Sequence, residues 1–346
     1  MSHDPHRLTA LGWNGSLESA FADATRIGHR GLVVRVDGRV VTVLTDAGQQ
    51  RVQLAAAVSG LPDDGAITTG DWLVVEDGVA THVLPRRSAL MRRAAGEATA
   101  GQAVAANIDL VFITVALGHP IKLRRIERAL AMAWSSGAAP VVLLTKSDLS
   151  GDIDADLRAA RSVAAGTEVI AVNASGEGLA RLQEVLLEGL VAVLVGPSGT
   201  GKSTLVNRLS GNDALVTAEV RSDGKGRHTT THRELIELPG GGLIIDTPGT
   251  RELGLWDAGA GIEEVFGDLT EVAAQCRFRN CKHENEPGCA VRAAAADDPT
   301  VLARLASKRK LEREQERLDN ARDLRAKAEQ RRELRRRARA MRQRSP

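Results

Sequence analysis

The first quarter of the chain alternates short apolar runs with polar turns. Four runs rich in valine, leucine and threonine predict β-strands at 31–36, 39–45, 50–54 and 71–75. Asp37-Gly38, between the first two runs, is typical of a two-residue hairpin turn. Strands this short and this closely spaced predict a small β-barrel of the five-stranded OB type. Before them, Trp13, Leu17 and Phe21 fit one face of a short helix in an otherwise weakly patterned segment.

From residue 108 the pattern changes to alternating strands and helices. Apolar runs predict buried strands at 108–115, 141–144, 169–172, 190–195, 234–238 and 242–245. Periodic apolar positions predict helices at 123–136, 154–165, 179–187 and 203–209. This alternation predicts an α/β domain with a largely parallel sheet. A fading apolar stripe among many charges then predicts one long helix over 298–345.

The run at 190–195 leads into a loop that matches G-x-x-x-x-G-K-[ST], the phosphate-binding P-loop. The loop consists of Gly196, Pro197, Ser198, Gly199, Thr200, Gly201, Lys202 and Ser203. Its backbone N–H groups and the following helix N-terminus are expected to surround phosphate oxygens. Lys202 is expected to reach the β- and γ-phosphates, and the Ser203 hydroxyl to bind Mg²⁺. The sequence therefore predicts a nucleoside triphosphate site.

A second motif, Thr145-Lys146-Ser147-Asp148, follows the strand at 141–144 and resembles the N-K-x-D motif of GTPases. Asp148 is expected to accept hydrogen bonds from guanine N1–H and the 2-amino group. Adenine offers neither donor, and leaving the carboxylate desolvated and unpaired would cost about 1–3 kcal/mol or more. The Lys146 stem is expected to pack along the base. Threonine at 145 is expected to lose an amide hydrogen bond that ties this loop to the P-loop.

Three further short motifs complete the site. Asn173-Ala174 lies where GTPases carry S-A-K, so the Ala174 N–H is expected to meet guanine O6. Asp246-Thr247-Pro248-Gly249 resembles D-x-x-G: Asp246 is expected to hold Mg²⁺ through water, and the Gly249 N–H to sense the γ-phosphate. One threonine of Thr229-Thr230-Thr231 is expected to supply a Mg²⁺ ligand, with Thr229 as the first choice.

The order of these motifs is reversed relative to ordinary GTPases, because the base-reading motifs precede the P-loop. The sequence therefore predicts a circularly permuted G domain, which is tolerable where chain termini lie close together. In this order, the segment at 246–249 becomes the exit of the domain. The part of the chain after the G domain is therefore connected directly to the residues that are expected to sense the γ-phosphate.

All three cysteines of the chain lie close together after that exit, with one histidine among them. An odd number of clustered cysteines favours metal binding over disulfides. Three thiolates and one imidazole make a closed tetrahedral zinc site, which is typical of a structural metal. The alternative is a set of unrelated free cysteines. The candidate ligands are Cys276, Cys281, His283 and Cys289.

Charge is distributed unevenly along the chain. Residues 301–346 contain 17 of the 46 Lys/Arg and 7 of the 44 Asp/Glu, a net charge of +10, so residues 1–300 carry −8. A basic tail on an acidic body suggests a polyanionic partner, although a solvated helix remains the alternative. Residues 85–106 are expected to be a basic, solvated linker or a second RNA contact. No apolar run has the length of a membrane span and no signal peptide is evident, so a cytoplasmic location without membrane contact is expected.

The motif order, the segment Gly226-Arg227-His228-Thr229-Thr230-Thr231 and the Cys/His spacing together resemble the ribosome small subunit-dependent GTPase A (RsgA) family. The resemblance covers nearly the whole chain. It implies a GTPase that uses GTP/GDP, Mg²⁺ and one structural Zn²⁺. It also implies action late in 30S subunit maturation, binding to 16S rRNA and stimulation by the subunit. A monomer is expected.

Residue roles also follow from this resemblance. The family's GTP-binding residues carry over onto Thr145, Lys146 and Asp148, and onto the P-loop as far as Thr204. His228 is implied to orient the attacking water, beside catalytic Lys202 and Thr229. Thr250 stands near the place where Ras-like enzymes carry a catalytic glutamine, which fits low intrinsic hydrolysis and activation by a partner.

The predicted organisation has five parts: an N-terminal extension (1–27), an OB-like β-barrel (28–88), a circularly permuted G domain (89–257), a zinc-binding domain (258–300) and a basic C-terminal helix (301–346). The main alternative function is a GTP-binding regulatory switch that does not act on ribosomes. A P-loop kinase with a zinc ribbon is more distant, since it leaves the motif at 145–148 unexplained.

Overall fold

The computed structural model describes residues 7–25, 27–62, 65–93, 100–211, 233–247 and 255–344, and elements are numbered over these ranges. Two short helices come first, α1 (Arg7–Ala10) and α2 (Gly15–Ala24). Asn14 begins α2, since its side-chain oxygen accepts hydrogen bonds from two N–H groups of the first turn. The Trp13 ring packs edge-on against Trp72 with centroids 4.9 Å apart. The described part of the N-terminal segment therefore contributes to the core.

Five strands then close into a barrel with one small helix: β1 (His29–Asp37), β2 (Val40–Thr45), β3 (Gly48–Leu54), α3 (Ala56–Ser59), β4 (Trp72–Glu76) and β5 (Val79–Val83). β1 pairs with β2 and β4, and β5 with β3 and β4, while β2 also pairs with β3, so every strand has two neighbours within the barrel. Only the β3–β5 pairing is parallel. The predicted OB-like barrel is confirmed.

Two details of the barrel differ from the prediction. β5 was not predicted, because its five residues include Thr81 and His82 and form no clear apolar run. The hairpin turn lies one residue later than expected: Asp37 pairs with Val40, and Gly38 takes the positive φ of 68°.

The described parts of the segment expected to be a solvated linker form β-strands instead. They form a separate hairpin of β6 (Ala89–Arg93) and β7 (Gly101–Ala106). Just before it, Arg86 pairs with the fully buried Asp71, with Nε 2.7 Å from Oδ1. Burial raises the pKa of Asp71, and the hydrogen bond from Arg86 opposes this. The linker expectation was wrong because this arginine has a buried acidic partner that local sequence does not reveal.

The α/β part alternates strands and helices as predicted. Its elements are β8 (Leu110–Ala116), α4 (Leu123–Ser135), β9 (Ala139–Thr145), a 3₁₀ turn (Ser147–Leu149), α5 (Ile153–Arg161), β10 (Glu168–Val172), α6 (Leu179–Val185), β11 (Val191–Val195), α7 (Lys202–Ser210), β12 (Glu234–Glu237) and β13 (Leu243–Asp246). The strand order is β10-β9-β8-β11-β13-β12, parallel except for β12. Among the described residues, one strand pairing, Arg35 with Glu234, joins this sheet to the barrel.

Four helices complete the described chain: α8 (Gly259–Val265), α9 (Gly267–Ala274), α10 (Ala290–Asp297) and α11 (Thr300–Arg344). α8 packs closely on α4 because Gly261 has no side chain. A Cβ there would lie 1.9 Å from the Ala131 carbonyl oxygen.

The long C-terminal helix α11 has two different halves. Val301, Leu311 and Leu318 are buried, whereas the side chains from 323 to 328 are all exposed. The Arg304 guanidinium is buried and pairs with Asp268. The first half of α11 therefore belongs to the core, as its apolar stripe indicates, and the alternative of a wholly solvated helix does not hold for it.

Candidate nucleotide site and zinc centre

Parallel strands bring the predicted nucleotide motifs to one edge of the sheet. Thr145 at the end of β9 aligns with Ala116 of β8 and with Val172 of β10. Val195, at the end of β11, aligns with Ile113 of β8. Asp246 ends β13 on the other side of β11. The P-loop, the loop at 145–148 (hereafter the base-reading loop), the loop at 173–177 and Asp246 therefore share the carboxyl edge, where open α/β sheets bind ligands.

The P-loop begins at a position that only glycine fits. Gly196 has a φ of 150°, and a Cβ there would lie 2.2 Å from the Thr114 hydroxyl oxygen. Gly199 and Gly201 also have positive φ values, of 81° and 86°. Lys202 then begins α7. The glycines thus allow the backbone to turn sharply ahead of a helix N-terminus, as anion binding requires.

Lys202 and Asp246 lie in a desolvated part of this edge. The Lys202 Nζ donates hydrogen bonds to the carbonyl oxygens of Gly196 and Pro197, both at 2.8 Å. Burial lowers the pKa of Lys202 to about 8, and the negative charge of Asp246 opposes this shift. Burial likewise raises the pKa of Asp246, against the attraction of Lys202. A bound phosphate would favour the charged form of Lys202, and the metal ion that accompanies it would favour the charged form of Asp246.

Three buried threonines connect the base-reading loop to the P-loop. The Thr145 hydroxyl donates to the Thr200 carbonyl oxygen at 2.6 Å. The hydroxyl oxygens of Thr200 and Thr114 lie 2.7 Å apart, and each is also within hydrogen-bond distance of a P-loop or β11 carbonyl. We expected threonine at 145 to lose the tie to the P-loop. The structure corrects this, because a hydroxyl makes a hydrogen bond to the P-loop in place of an amide.

The remaining base-reading residues lie at the surface of the same edge. Lys146 adopts a left-handed conformation with a φ of 58°, and it and Asp148 are exposed. Ser147 begins the 3₁₀ turn. In the neighbouring loop the Asn173 side-chain oxygen accepts hydrogen bonds from the N–H groups of Ser175 and Gly176, at 3.0 and 3.1 Å. Asn173 thus fixes the loop shape, and Ala174 lies exposed within it.

Several predicted residues lie outside the described residues. They are His228, Thr229, Thr230, Thr231, Pro248, Gly249 and Thr250. The catalytic role of His228 and the magnesium and γ-phosphate roles of Thr229 and Gly249 therefore stay predictions. Thr114 was not predicted at all. It is a single hydroxyl within the apolar strand β8, and the only signal was its polarity in a buried run.

The predicted zinc ligands come together in space. One ligand atom from each of Cys276, Cys281, His283 and Cys289 lies within 4.8 Å of all the others. The Nδ1 atom of His283 is 3.5 Å from the Sγ atoms of both Cys276 and Cys289, which are 3.9 Å apart. Zn–S and Zn–N bonds in a tetrahedron imply edges of roughly 3.5–3.8 Å. The residues therefore fit a zinc ion.

The loop that carries these ligands is fixed from two sides. The Glu286 carboxylate accepts hydrogen bonds from the N–H groups of Lys282, Glu284 and Asn285, at 2.8 to 3.1 Å. These bonds lower the pKa of Glu286 to about 2. From α11, Arg309 donates to the Lys282 carbonyl. The candidate zinc centre is thus tied to the buried half of α11.

Together these features define a class of protein: a circularly permuted P-loop GTPase with an N-terminal OB-like barrel and a C-terminal helical region that carries a Cys/His cluster. The sequence model of the RsgA GTPase family matches residues 83–256. The chain belongs to the RsgA GTPase family and is a GTP hydrolase.

Relatives and solved structures agree with this assignment. The chain is 45% identical to the "Small ribosomal subunit biogenesis GTPase RsgA" of Streptomyces coelicolor over 97% of this chain and 94% of that protein. It is 41% identical to the protein of the same name from Opitutus terrae, over 89% of each. The fold resembles YjeQ from Thermotoga maritima, with a TM-score of 0.59, 24% identity, and coverage of 82% of this chain and 97% of that one. It also resembles YloQ, described as a circularly permuted GTPase, with a TM-score of 0.57, 22% identity, and coverage of 85% and 96%.

Among the described residues, no helix is both long enough and apolar enough to cross a membrane.

Proposed function

We propose that this chain acts as a GTP-hydrolysing biogenesis factor of the small ribosomal subunit, binding 16S rRNA and being activated by the subunit. The observation that carries the proposal is the 45% identity, over 97% of this chain, to a protein named for that role. A regulatory GTPase without a ribosomal partner has no comparable support. We further propose that it acts as a monomer in the cytoplasm.

The nucleotide site supports specific roles for the residues at the sheet edge. Asp148, exposed at the base-reading loop, pairs with guanine, and the Ala174 N–H contacts guanine O6. Backbone N–H groups of the P-loop surround the phosphates, with Ser203 and Thr204 at the start of α7. Lys202 exchanges its two carbonyl partners for phosphate oxygens. This exchange favours the charged lysine that burial disfavours, since a phosphate raises the pKa of a neighbouring lysine.

The same edge fits the magnesium ion that GTP hydrolysis requires. Asp246 is a buried carboxylate near Lys202 at the mouth of the P-loop. Ser203 follows Lys202 on α7. These two residues, with Thr229, would hold the ion, which neutralises charge on the phosphates when bound. His228 is proposed to orient the attacking water. Hydrolysis is proposed to be slow until the subunit completes this arrangement.

The zinc centre is proposed to be structural. Its four ligands leave no position for water, and it lies on elements that follow the exit of the G domain. We propose domain boundaries near residues 28, 89, 258 and 301. The first half of α11 packs against helices that precede the last of these boundaries.

The test combines cosedimentation with a hydrolysis assay. Purified 30S subunits are sedimented with the protein in GDP or in a non-hydrolysable GTP analogue, and 50S subunits serve as the control particle. We expect GTP-analogue-dependent binding to 30S alone and a GTP hydrolysis rate that rises when 30S subunits are added. Equal binding to both particles, or an unchanged rate, would contradict the proposal while leaving the GTPase assignment intact.

A further inference from the structure

A groove of about 600 Å³ runs along α11, between that helix and the end of β6. β6 contributes Arg93, and α11 contributes Lys310, Arg313, Glu314 and Arg317. Leu318 and Ala321 also line it, and Leu318 is buried. The groove thus has an apolar patch and a rim made almost entirely of cations.

The one carboxylate in the groove does not neutralise those cations, because it has another partner. Both Glu314 oxygens accept hydrogen bonds from the Arg128 guanidinium of α4, at 2.7 Å each. The Arg128 bond lowers the pKa of Glu314, with smaller contributions from Arg93 and Lys310. Four positive charges therefore surround a carboxylate that is already paired.

Within the described ranges of the chain, none of the four rim cations forms an ion pair. The Arg313 Nε donates to the Arg309 carbonyl at 3.1 Å, which leaves its two terminal amino groups for another partner. Arg93, Lys310, Arg313 and Arg317 are all exposed. Unpaired cations beside a low-dielectric wall concentrate a positive potential and attract polyanions.

The spacing of these cations suits an extended anion better than a small one. Lys310 and Arg317 lie seven residues apart on one helix face, which corresponds to about 10 Å along the axis. Arg313 lies between them, and Arg93 faces them from another element. Guanidinium groups bind phosphate oxygens in pairs. Among the described residues that line the groove, none is a buried polar side chain that would close it around a single phosphate, so a chain of phosphates fits it better.

The C-terminal half of α11 and the two residues after it carry further positive charge. Residues 323–346 contain 10 Lys/Arg and 3 Asp/Glu. We infer that the Arg93–Lys310–Arg313–Arg317 groove binds the phosphodiester backbone of an RNA strand. This inference rests on the proposed function, which makes RNA the available polyanion. Because Arg128 and Glu314 fix α11 to α4, bound RNA would be held at a set position relative to the G domain.

The test uses two triple variants with the same change in charge. The first is Lys310→Gln/Arg313→Gln/Arg317→Gln, and the control is Arg158→Gln/Arg161→Gln/Arg181→Gln on α5 and α6. Binding of a fluorescein-labelled 20-nucleotide poly(U) strand is measured by anisotropy between 50 and about 300 mM salt. Thermal unfolding and intrinsic GTP hydrolysis, which should be unchanged in both variants, report on folding.

We expect the groove variant to lose affinity and the control to retain it. Each phosphate neutralised on a single strand contributes a salt slope of about 0.7, so three lost contacts lower the slope by about 2. At 0.15 M salt this corresponds to roughly 4-fold per contact, or about 50-fold in total. Equal losses in both variants would show a general charge effect and would overturn the inference.

Two further measurements separate this inference from other outcomes. The first is binding of poly-glutamate by the same two variants. If the groove variant loses more affinity for poly-glutamate than for RNA, the groove binds an acidic protein and the inference is overturned. Cosedimentation of both variants with 30S subunits separates it from the proposed function. If the unmodified protein fails to bind 30S while the RNA result holds, the proposed function fails and the groove stands.

Discussion

The hydrogen bond from Thr145 to Thr200 gives a prediction whose size follows from the structure. The Thr145 and Thr200 residues are only 4% and 6% exposed, so the carbonyl oxygen has little access to water. In a trans peptide the next N–H points away from the carbonyl oxygen. Holding the Thr200 carbonyl toward Thr145 therefore turns the Gly201 N–H away from the base-reading loop. P-loops bind phosphate with such N–H groups.

Thr145→Val keeps the branched shape and removes the donor. Leaving a buried carbonyl without a partner costs about 1–3 kcal/mol. If that cost falls on the nucleotide-bound arrangement of the two loops, GDP and GTP affinities should both fall by about 5- to 150-fold. Guanine selectivity should persist, since Asp148 is unchanged. Thr145→Ser retains the hydroxyl and should remain within about 3-fold of the natural protein.

The assay is stopped-flow dissociation of a fluorescent GDP analogue, accompanied by thermal unfolding without nucleotide. We expect faster dissociation in Thr145→Val and near-normal dissociation in Thr145→Ser. A valine variant that unfolds earlier but releases nucleotide at the normal rate would refute the reasoning. That result would show that the threonine network stabilises the fold without positioning the site. Equal defects in the serine and valine variants would refute it as well, because the hydroxyl would then be irrelevant.

Four other predictions concern different parts of the chain. Asp148→Asn should weaken GTP binding and favour xanthosine triphosphate, and unchanged GTP affinity in a fluorescence titration would contradict the assigned role. Because the pKa of Lys202 is lowered to about 8, its charge is lost from the free protein as pH rises through that value. GDP affinity should therefore fall above pH 8, and it should stay flat there in Lys202→Met. A zinc-selective chelator should release one equivalent of zinc and lower the melting temperature while GDP binding persists; unaltered unfolding of metal-free protein would contradict a structural role. Deleting residues 323–346 should flatten the salt dependence of 30S binding without changing intrinsic hydrolysis, and superimposable salt curves would contradict it.

The sequence could indicate which segments form the candidate site because its motifs are local. The P-loop, the base-reading loop and the Cys/His cluster are each contiguous or nearly so, and each has a spacing that its chemistry dictates. Motif order then predicted the permutation. The parallel sheet then brings these motifs together, because the carboxyl ends of its strands lie at one edge.

Contacts between distant segments were harder to predict. Thr114 meets the P-loop only because β8 and β11 are neighbours in the sheet. The tie made by Thr145 depends on the same placement, so comparison with an asparagine motif predicted a loss that the fold prevents. In the sequence, Arg86 belongs to a basic run that is expected to be solvated, whereas the folded barrel places Asp71 beside it. In each case the decisive partner is remote in sequence and belongs to a different element.

Helix α11 shows that charge composition alone does not distinguish its buried first half from its more basic second half. Arg304 is indistinguishable in sequence from the arginines near the C-terminus, yet its guanidinium is buried and bonds Asp268 and the Val265 carbonyl. A buried charge is tolerated only where such partners exist. Truncation at Asp298 would remove Arg304 together with the buried residues Val301, Leu311 and Leu318, and would expose the apolar surface they cover. A loss of 30S binding in that variant would therefore combine lost folding with lost charge, whereas deletion from residue 323 retains the buried residues and isolates the electrostatic contribution of the basic C-terminal half.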